Sequence, residues 1–184
     1  MKPPENRLAT RRVFEGRLLK VDADTVRLPN GAKVELEMVR HPGASAVVPL
    51  LSDLNGPDPQ LLLIRQFRYA ANGMVWEIPA GVLEPGESPE QCARRELLEE
   101  VGATAERFDH LTSIYTTPGF TDETIHLFLA SGLKVADPAH QIDEFITIET
   151  RTISAALEMI RTGELMDAKT AIALLYVAGF RLNM

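Results

Sequence analysis

The chain has 184 residues, 45% of them hydrophobic and 24% charged, a balance typical of a soluble globular protein with one sizeable core. Its formal net charge of −7 disfavours non-specific binding to nucleic acid or to anionic membranes, because proteins that bind them usually present basic surfaces. We therefore predict no nucleic-acid partner and no membrane partner.

Cysteine content and hydropathy favour a cytoplasmic protein. The single cysteine, Cys92, cannot form an internal disulfide, and the first seven residues lack the apolar stretch of a secretion signal. The most apolar tract, residues 170–180, is too short to span a bilayer and is expected to form a buried helix.

The N-terminal part of the chain alternates apolar and polar residues. From Arg12 to Val39 this alternation surrounds the pair Asn30-Gly31, which is typical of a type I′ hairpin turn. We predict an antiparallel β module over residues 1–41, followed by a separate domain over residues 42–184.

The second domain mixes strands with a few helices, a pattern that predicts a helix-flanked mixed sheet. Asp167 is a favourable helix cap and Gly163 a favourable helix stop. Strands are predicted over residues 45–51, 60–67, 111–115, 124–130 and 145–150, and helices over residues 154–161 and 168–179.

The most informative segment runs from Gly81 to Ala103 and predicts one short helix. Ser88 is a good N-cap, Pro89 suits the first helical position, and Gln91 completes a capping-box pattern. The helix is predicted to end at about Val101, before Gly102. The residues expected to face a core are Ala93, Leu97, Leu98 and Val101.

Three carboxylates, those of Glu96, Glu99 and Glu100, crowd one edge of this helix. Side chains one turn apart have Cβ atoms roughly 5–6 Å from each other, and like charges at that separation cost about 3 kcal/mol per pair at an effective dielectric near 20. Arg95 can pair with one carboxylate and be held by Glu87, which leaves at least two acids unmatched. A hard cation, Mg²⁺ or Mn²⁺, suits that place, and a solvated acidic helix face is the alternative.

The same segment resembles the Nudix box, whose pattern is G-x5-E-x7-R-E-U-x-E-E-x-G-U, where U is an apolar residue. All the fixed letters are matched, an agreement that arises by chance with a probability of roughly 10⁻⁷ or less. The matching residues are Gly81, Glu87, Arg95, Glu96, Glu99, Glu100 and Gly102, with Leu97 and Ala103 at the U positions.

The resemblance implies an α/β fold, a Nudix-type α/β/α sandwich with a mixed β-sheet, to which the N-terminal antiparallel β-hairpin module is an addition. In the nucleotide-sugar branch of the family such a module packs against the partner subunit. A homodimer is thus implied, and a hairpin folded back on its own domain is the alternative.

Nudix enzymes hydrolyse a nucleoside diphosphate linked to another moiety, so the resemblance implies a metal-dependent hydrolase. The charges of a pyrophosphate repel a nucleophile until cations neutralise them, and a metal ion also acidifies a bound water. We expect Glu96 and Glu100 to ligate Mg²⁺, or else Mn²⁺, with Glu99 as a ligand or base. The resemblance adds the carbonyl of Ala80, a catalytic role for Arg95, and two or more ions with substrate bound.

The loop from His140 to Glu144 is expected to supply another acid. By the resemblance, Glu144 is a metal-associated glutamate, whereas the position of the general base falls on Ile142, which cannot accept a proton. Asp143, Glu144 or Glu99 could orient the attacking water instead, and a solvated Asp-Glu pair is the alternative.

Substrate choice depends on residues outside the Nudix box. Pro118 lies fifteen residues beyond Ala103, a spacing that resembles the marker of the ADP-ribose pyrophosphatase subfamily. Arg68 is the first candidate for a phosphate or base contact, because a guanidinium offers a bidentate fork, and a surface salt bridge is its alternative. Further substrate-binding candidates are Arg65, Gly81 and Glu123.

The sequence leaves three functions open. The first is hydrolysis of ADP-ribose to AMP and ribose 5-phosphate. The second is hydrolysis of another nucleotide sugar such as GDP-mannose, whose branch the segment from Ala156 to Thr170 also resembles. The third is a Nudix-fold ligand-binding domain without turnover, which would have no need for several metal-ligating acids.

Overall fold

The computed structural model of the protein describes residues 5–17, 19–135 and 146–182. The chain divides into two compact units. The first comprises residues 1–43 and 115–124, and the second comprises residues 44–114 and 125–184. Within the described residues, no helix has the length and apolarity needed to cross a membrane.

The first unit contains an antiparallel sheet with the strand order β1-β2-β3. The sheet begins before the alternating pattern that starts at Arg12, because β1 already pairs with β2 from Arg7. The strands are β1 (Arg7–Glu15), β2 (Lys20–Arg27) and β3 (Lys33–Arg40).

The predicted type I′ turn at Asn30-Gly31 is wrong. Gly31 has a φ of +86°, but Asn72 is the only non-glycine residue with positive φ in the described part of the chain, so Asn30 does not adopt the left-handed conformation that a type I′ turn requires. The Gly31 N–H instead donates to the Leu28 carbonyl at 2.8 Å, which makes Pro29 the second residue of the turn. Proline fixes φ near −65° and thus selects an ordinary turn with glycine at its end.

In its described residues, the second unit contains two sheets and three α-helices. One sheet has the order β7-β4-β9-β8, with β4 and β9 parallel, and the other has the order β10-β5-β6. Its strands are β4 (Ala44–Pro49), β5 (Gln60–Arg68), β6 (Gly73–Glu77), β7 (Ala80–Val82), β8 (Ala103–Tyr115), β9 (Thr124–Val135) and β10 (Ile146–Thr152). Its helices are α1 (Pro89–Val101), α2 (Ile153–Thr162) and α3 (Ala168–Arg181).

The sheets of this unit are covered by helices on both faces. Val47 of β4 and Ile64 of β5 belong to the core under α1, whereas their neighbours Val48 and Leu63 belong to the core under α2 and α3. Side chains alternate between faces along a strand, so a strand buried on both faces reads as a continuous apolar run, as predicted for residues 45–51. The α/β/α sandwich with a mixed sheet is confirmed.

Local capping explains why α1 begins and ends where predicted. The Ser88 hydroxyl accepts from the Gln91 N–H at 3.3 Å and the Gln91 side chain accepts from the Ser88 N–H at 2.8 Å, which completes the capping box. Gly102 closes the helix in the left-handed conformation, with a φ of +68°. Asp167 caps α3 and Gly163 terminates α2, also as predicted.

Candidate active site

The two acids Glu96 and Glu100 lie on the buried side of α1. At about 100° per residue, both fall within about 60° of Ala93, which packs in the core. Glu96 is 7% exposed and Glu100 is 3% exposed. The predicted core position of Leu98 is wrong, because it points about 140° from Ala93 and is 47% exposed.

The segment Ala80-Gly81 in β7 provides the wall against which these acids pack. The Ala80 N–H donates to Glu100 Oε2 at 2.9 Å. A Cβ atom built on Gly81 would lie 1.7 Å from Glu96 Oε1, so only glycine leaves room for this carboxylate. The glycine of the Nudix-like pattern is thus explained by a close approach of side chain to backbone.

Arg95 lies at the centre of the acid cluster. Its guanidinium forms a fork to Glu87, with Nε 3.0 Å from Oε1 and Nη2 3.1 Å from Oε2, and Nη2 also donates to the Val82 carbonyl. Nη1 donates to Glu96 at 2.5 Å and to Glu99 at 3.2 Å. The hydrogen bonds from Arg95 lower the pKa of Glu87, and the Glu87 carboxylate raises the pKa of Arg95.

The expectation that at least two acids lack a matching group is corrected by these contacts. Arg95 was expected to pair with one acid of the helix, but it donates hydrogen bonds to both Glu96 and Glu99. Glu100 accepts a hydrogen bond from a backbone amide. The repulsion between neighbouring carboxylates can be predicted from the sequence, but a backbone amide of another strand that faces one of them cannot. In the ranges 5–17, 19–135 and 146–182, no three His, Cys, Asp or Glu side chains form a ready-made metal-binding group.

Cys92 of α1 packs against Gly81 of β7. It is completely buried, and its thiol donates to the Gly81 carbonyl at 3.4 Å. Burial, together with the nearby charges of Glu87 and Glu96, raises the pKa of Cys92 to about 11. The thiol is therefore a structural group that stays protonated at neutral pH.

Arg68 is paired within the protein. Its Nε and Nη2 lie 2.7 and 2.8 Å from the two oxygens of Glu77, which is 2% exposed, and Lys169 of α3 also contacts Glu77. Burial alone would raise the pKa of Glu77, but the hydrogen bonds from Arg68 and the charge of Lys169 outweigh it and lower that pKa. The sequence reasoning assigned no role to Glu77 or Lys169, although an acid between the apolar Trp76 and Ile78 is the kind of buried charge that requires a partner.

Arg65 lies on the opposite face of the same sheet. Arg65 and Trp76 are cross-strand partners, and Trp76 belongs to the core under α2 and α3, whereas Arg68 and Glu77 share the α1 face with Ile64. The Arg65 guanidinium lies 5.4 Å from the centre of the Trp76 ring. The structure does not bring Arg65 to the face that carries Glu96 and Glu100.

The other two predicted substrate contacts, Pro118 and Glu123, lie in the first unit. The N–H groups of Phe120 and Thr121 both donate to the Thr117 carbonyl at 3.1 Å, which folds the chain tightly around Pro118. Glu123 Oε2 accepts from the Thr116 hydroxyl at 2.8 Å. Asp143, Glu144 and Ile142 lie outside the described residues, so their roles stay predictions.

Residues 40–170, more than half of the chain, match the NUDIX domain family. The chain belongs to the Nudix hydrolase family. The Nudix-like segment from Gly81 to Ala103 lies inside this match, and Nudix hydrolases generally depend on a divalent metal ion.

Several known proteins are similar to the chain in sequence. Two relatives are each 39% identical over 94% of this chain and 92% of their own: an ADP-ribose pyrophosphatase of Bacillus subtilis (strain 168) and a methanol dehydrogenase activator of Bacillus methanolicus. A GDP-mannose pyrophosphatase of Yersinia enterocolitica is 37% identical over 66% of this chain and 68% of its own. The crystal structure of an ADP compounds hydrolase covers 100% of this chain and 98% of its own with a TM-score of 0.82, and at 22% identity it shows the shared Nudix fold.

Proposed function

We propose that this Nudix hydrolase cleaves the pyrophosphate bond of ADP-ribose and releases AMP and ribose 5-phosphate. The observation that carries the proposal is the buried pair Glu96 and Glu100, packed against a glycine whose lack of a Cβ makes room for one of them. The ADP-ribose pyrophosphatase at 39% identity over 94% of the chain supports this choice of substrate.

The metal is proposed to be Mg²⁺, with Mn²⁺ as a substitute, and two or more ions are expected with substrate bound. The donors available at Glu96, Glu99, Glu100 and the Ala80 carbonyl are all hard oxygens, which fit these ions, and Mg²⁺ is usually held by one or two carboxylates together with waters and substrate phosphates. Glu144 is retained as a further proposed ligand. When bound, the ions would neutralise phosphate charge and acidify a water.

The side chains around the acids have separable tasks in this proposal. Arg95 is held by Glu87 and in turn orients Glu96 and Glu99, so it fixes the ligands in place. Glu99 is more exposed than Glu96 and Glu100, with a third of its side chain open to solvent. It is therefore the candidate in α1 for accepting a proton from water. Asp143 and Glu144 are the candidates from the loop.

Substrate contacts are proposed for Arg68, Arg65, Gly81, Pro118 and Glu123. The Nε and Nη2 of Arg68 both face Glu77, so its contact with a phosphate would use Nη1. Glu77 would then hold Arg68 in one orientation. Arg65 is the weakest member of the set, because it lies over Trp76 on the other face of the sheet.

GDP-mannose is the second candidate substrate. The GDP-mannose pyrophosphatase relative favours it over other nucleotide sugars, although its similarity covers a smaller share of both chains than that of the ADP-ribose pyrophosphatase. Both substrates present the same pyrophosphate to the acids of α1, so the two functions differ in the groups that contact the base and the sugar.

A cytoplasmic homodimer is the proposed form of the protein. The first unit exposes apolar side chains that a second copy could cover: Leu8, Val13, Phe14, Leu19 and Leu36 are each at least 40% exposed. Light scattering after gel filtration would measure the oligomer. A Phe14→Glu variant is expected to shift it toward the monomer, and an unchanged mass would argue that this surface is not the contact.

The enzymatic proposal is tested with a panel of nucleotide sugars in the presence of Mg²⁺, with AMP and ribose 5-phosphate identified by chromatography. ADP-ribose is expected to give the highest kcat/KM. Glu100→Gln should reduce kcat by at least about 1000-fold while the protein stays folded. The matched control is Glu90→Gln, which removes an acid of the same helix from an exposed pair with Arg94. Faster cleavage of GDP-mannose would select the alternative, and binding without turnover of any compound would contradict both.

A further inference from the structure

Arg40, the last residue of β3, joins the sheet of the first unit to the segment that carries Pro118 and Glu123. Its Nε donates to Asp22 at 3.0 Å and its Nη2 contacts Asp24, both on β2. Its Nη1 donates to Asp122 at 3.2 Å. Asp22 and Asp24 are almost completely buried, at 6% and 3% exposed, so Arg40 supplies charge that these two acids need.

Asp122 is held from a second direction by the backbone. Its Oδ1 accepts from the His41 N–H at 2.8 Å, while its Oδ2 faces Arg40. The Val39 N–H donates to the Phe120 carbonyl at 2.7 Å, and the Asp122 N–H donates to the Val39 carbonyl at 3.3 Å. Residues 120–122 are thus attached along the end of β3 by main-chain and side-chain bonds together.

The attached segment, residues 116–123, is also closed on itself. Its turn is fixed by two bonds to the Thr117 carbonyl, and its ends are joined by a bond from the Thr116 N–H to the Glu123 carbonyl at 3.4 Å. Phe120 nevertheless remains 53% exposed. A segment that is closed, attached to a sheet and carries an exposed aromatic ring is suited to present that ring to a planar group such as a nucleobase.

We infer that Arg40 and Asp122 are positioning residues that fix residues 116–123 for recognition of the nucleoside part of the substrate. The inference rests on the proposed function, because it assigns Pro118 and Glu123 to the substrate. An arginine suits the task, since its planar guanidinium places donors on three carboxylates at once, which a lysine cannot do in the same geometry. Neither residue is required to touch the substrate.

The variant that tests this is Asp122→Asn. The amide oxygen can still accept from the His41 N–H, but the charge is lost and an NH₂ group faces the donors of Arg40. Arg40 keeps Asp22 and Asp24, so no buried acid is left without its cation and the sheet should fold. The matched control is Glu35→Gln, which removes an acid from the same unit whose contact with Arg11 is long, at 3.9 Å, and exposed.

Two measurements are made on both variants and on the wild type. Amide hydrogen exchange of residues 116–123 should become about tenfold faster in Asp122→Asn and stay unchanged in β1. The KM for the nucleotide sugar that the wild type cleaves fastest should rise about tenfold, with kcat within about twofold of the wild type, because a lost charge-assisted hydrogen bond is worth about one order of magnitude. Glu35→Gln should match the wild type in both.

The possible results separate this inference from the proposed function. Faster exchange with a higher KM supports it. An unchanged KM, with or without faster exchange, overturns it, and so does a fall in kcat alone. If the wild type cleaves no nucleotide sugar, the proposed function fails, whereas the exchange measurement still decides whether Asp122 holds the segment.

Discussion

The Glu96 carboxylate occupies the space that a side chain at position 81 would need, and Gly81 leaves that space free. The carboxylate of Glu96 passes where a Cβ of residue 81 would stand, 1.7 Å from Oε1. The position of a proposed metal ligand is therefore set by the absence of a side chain on a neighbouring strand.

Gly81→Ala is expected to displace the Glu96 carboxylate and to lower kcat by about 100-fold, because a shift of about 1 Å in a catalytic group can cost that much. Steady-state kinetics with ADP-ribose measures the effect. The control is Gly179→Ala in α3, where an added Cβ meets nothing within 4 Å. If Gly81→Ala kept the wild-type kcat, Glu96 would have no ligand role that depends on its position.

Arg95→Lys should lower both stability and activity. A lysine cannot keep the fork to Glu87 while it contacts Glu96 and Glu99. The Arg95 side chain is 24% exposed, so a loss of about 1–2 kcal/mol in the free energy of unfolding is expected, between the values for surface and buried pairs. Urea unfolding measures it.

The same substitution at the neighbouring Arg94 is the control for Arg95. Arg94 pairs with Glu90 and lies 4.1 Å from the centre of the Phe108 ring, contacts that a lysine can largely keep, and its side chain is 44% exposed. Arg94→Lys should change stability by less than about 0.5 kcal/mol. Equal losses at the two positions would mean that the contacts of Arg95 inside the acid cluster add nothing.

Glu77→Gln is expected to destabilise the protein by about 3 kcal/mol at pH 7, because it removes the charge that faces Arg68 and Lys169 in a buried site. The pKa of Glu77 is lowered in the folded state, so its contribution is present above the unfolded pKa of about 4.3 and is lost as the pH falls through the folded pKa. The difference between wild type and variant should therefore shrink from pH 7 to pH 3. A difference independent of pH would contradict the ion pair.

Cys92 should be inert in the folded protein. With a folded pKa of about 11 and an unfolded pKa of about 8.5, its thiolate fraction at pH 8.5 is about 100-fold lower than in the unfolded chain. Ellman's reagent should accordingly react at least about 100-fold more slowly with native than with urea-unfolded protein.

The raised pKa of Cys92 also predicts how stability changes in alkali. The contribution of the protonated thiol is fully present below about pH 8.5 and is lost as the pH rises toward 11. Cys92→Ala should remove this alkaline decline, as measured by unfolding at pH 7, 9 and 10. The same decline in Cys92→Ala as in the wild type would assign it to other groups.

Helix α1 could be predicted closely because its signals are local. Ser88, Gln91 and Gly102 each act within one turn of the helix end, and the structure confirms all three. The assignment of Leu98 to the core was wrong because it relied on hydropathy. Hydropathy favoured leucine at the interface, whereas the acids Glu96 and Glu100 occupy part of it.

The contacts that could not be predicted join residues far apart in sequence. Lys169 lies 92 residues from Glu77, and Asp122 lies 82 residues from Arg40. Charge patterns in a sequence do not reveal which acid meets which base across such separations. The prediction of a type I′ turn at Asn30 failed for a local reason. Pro29, which precedes Asn30, has a fixed negative φ, and this restriction determines the type of turn.

Trp76 gives the second unit an optical signal of its own. It is the only tryptophan of the 184 residues, it is 6% exposed, and the guanidinium groups of Arg65 and Arg151 lie 5.4 and 5.1 Å from its ring centre. Indole fluorescence therefore reports the opening of the core under α2 and α3 and is blind to tryptophan-free residues 1–43. A melting curve that differs between fluorescence and circular dichroism would reveal two units that unfold separately.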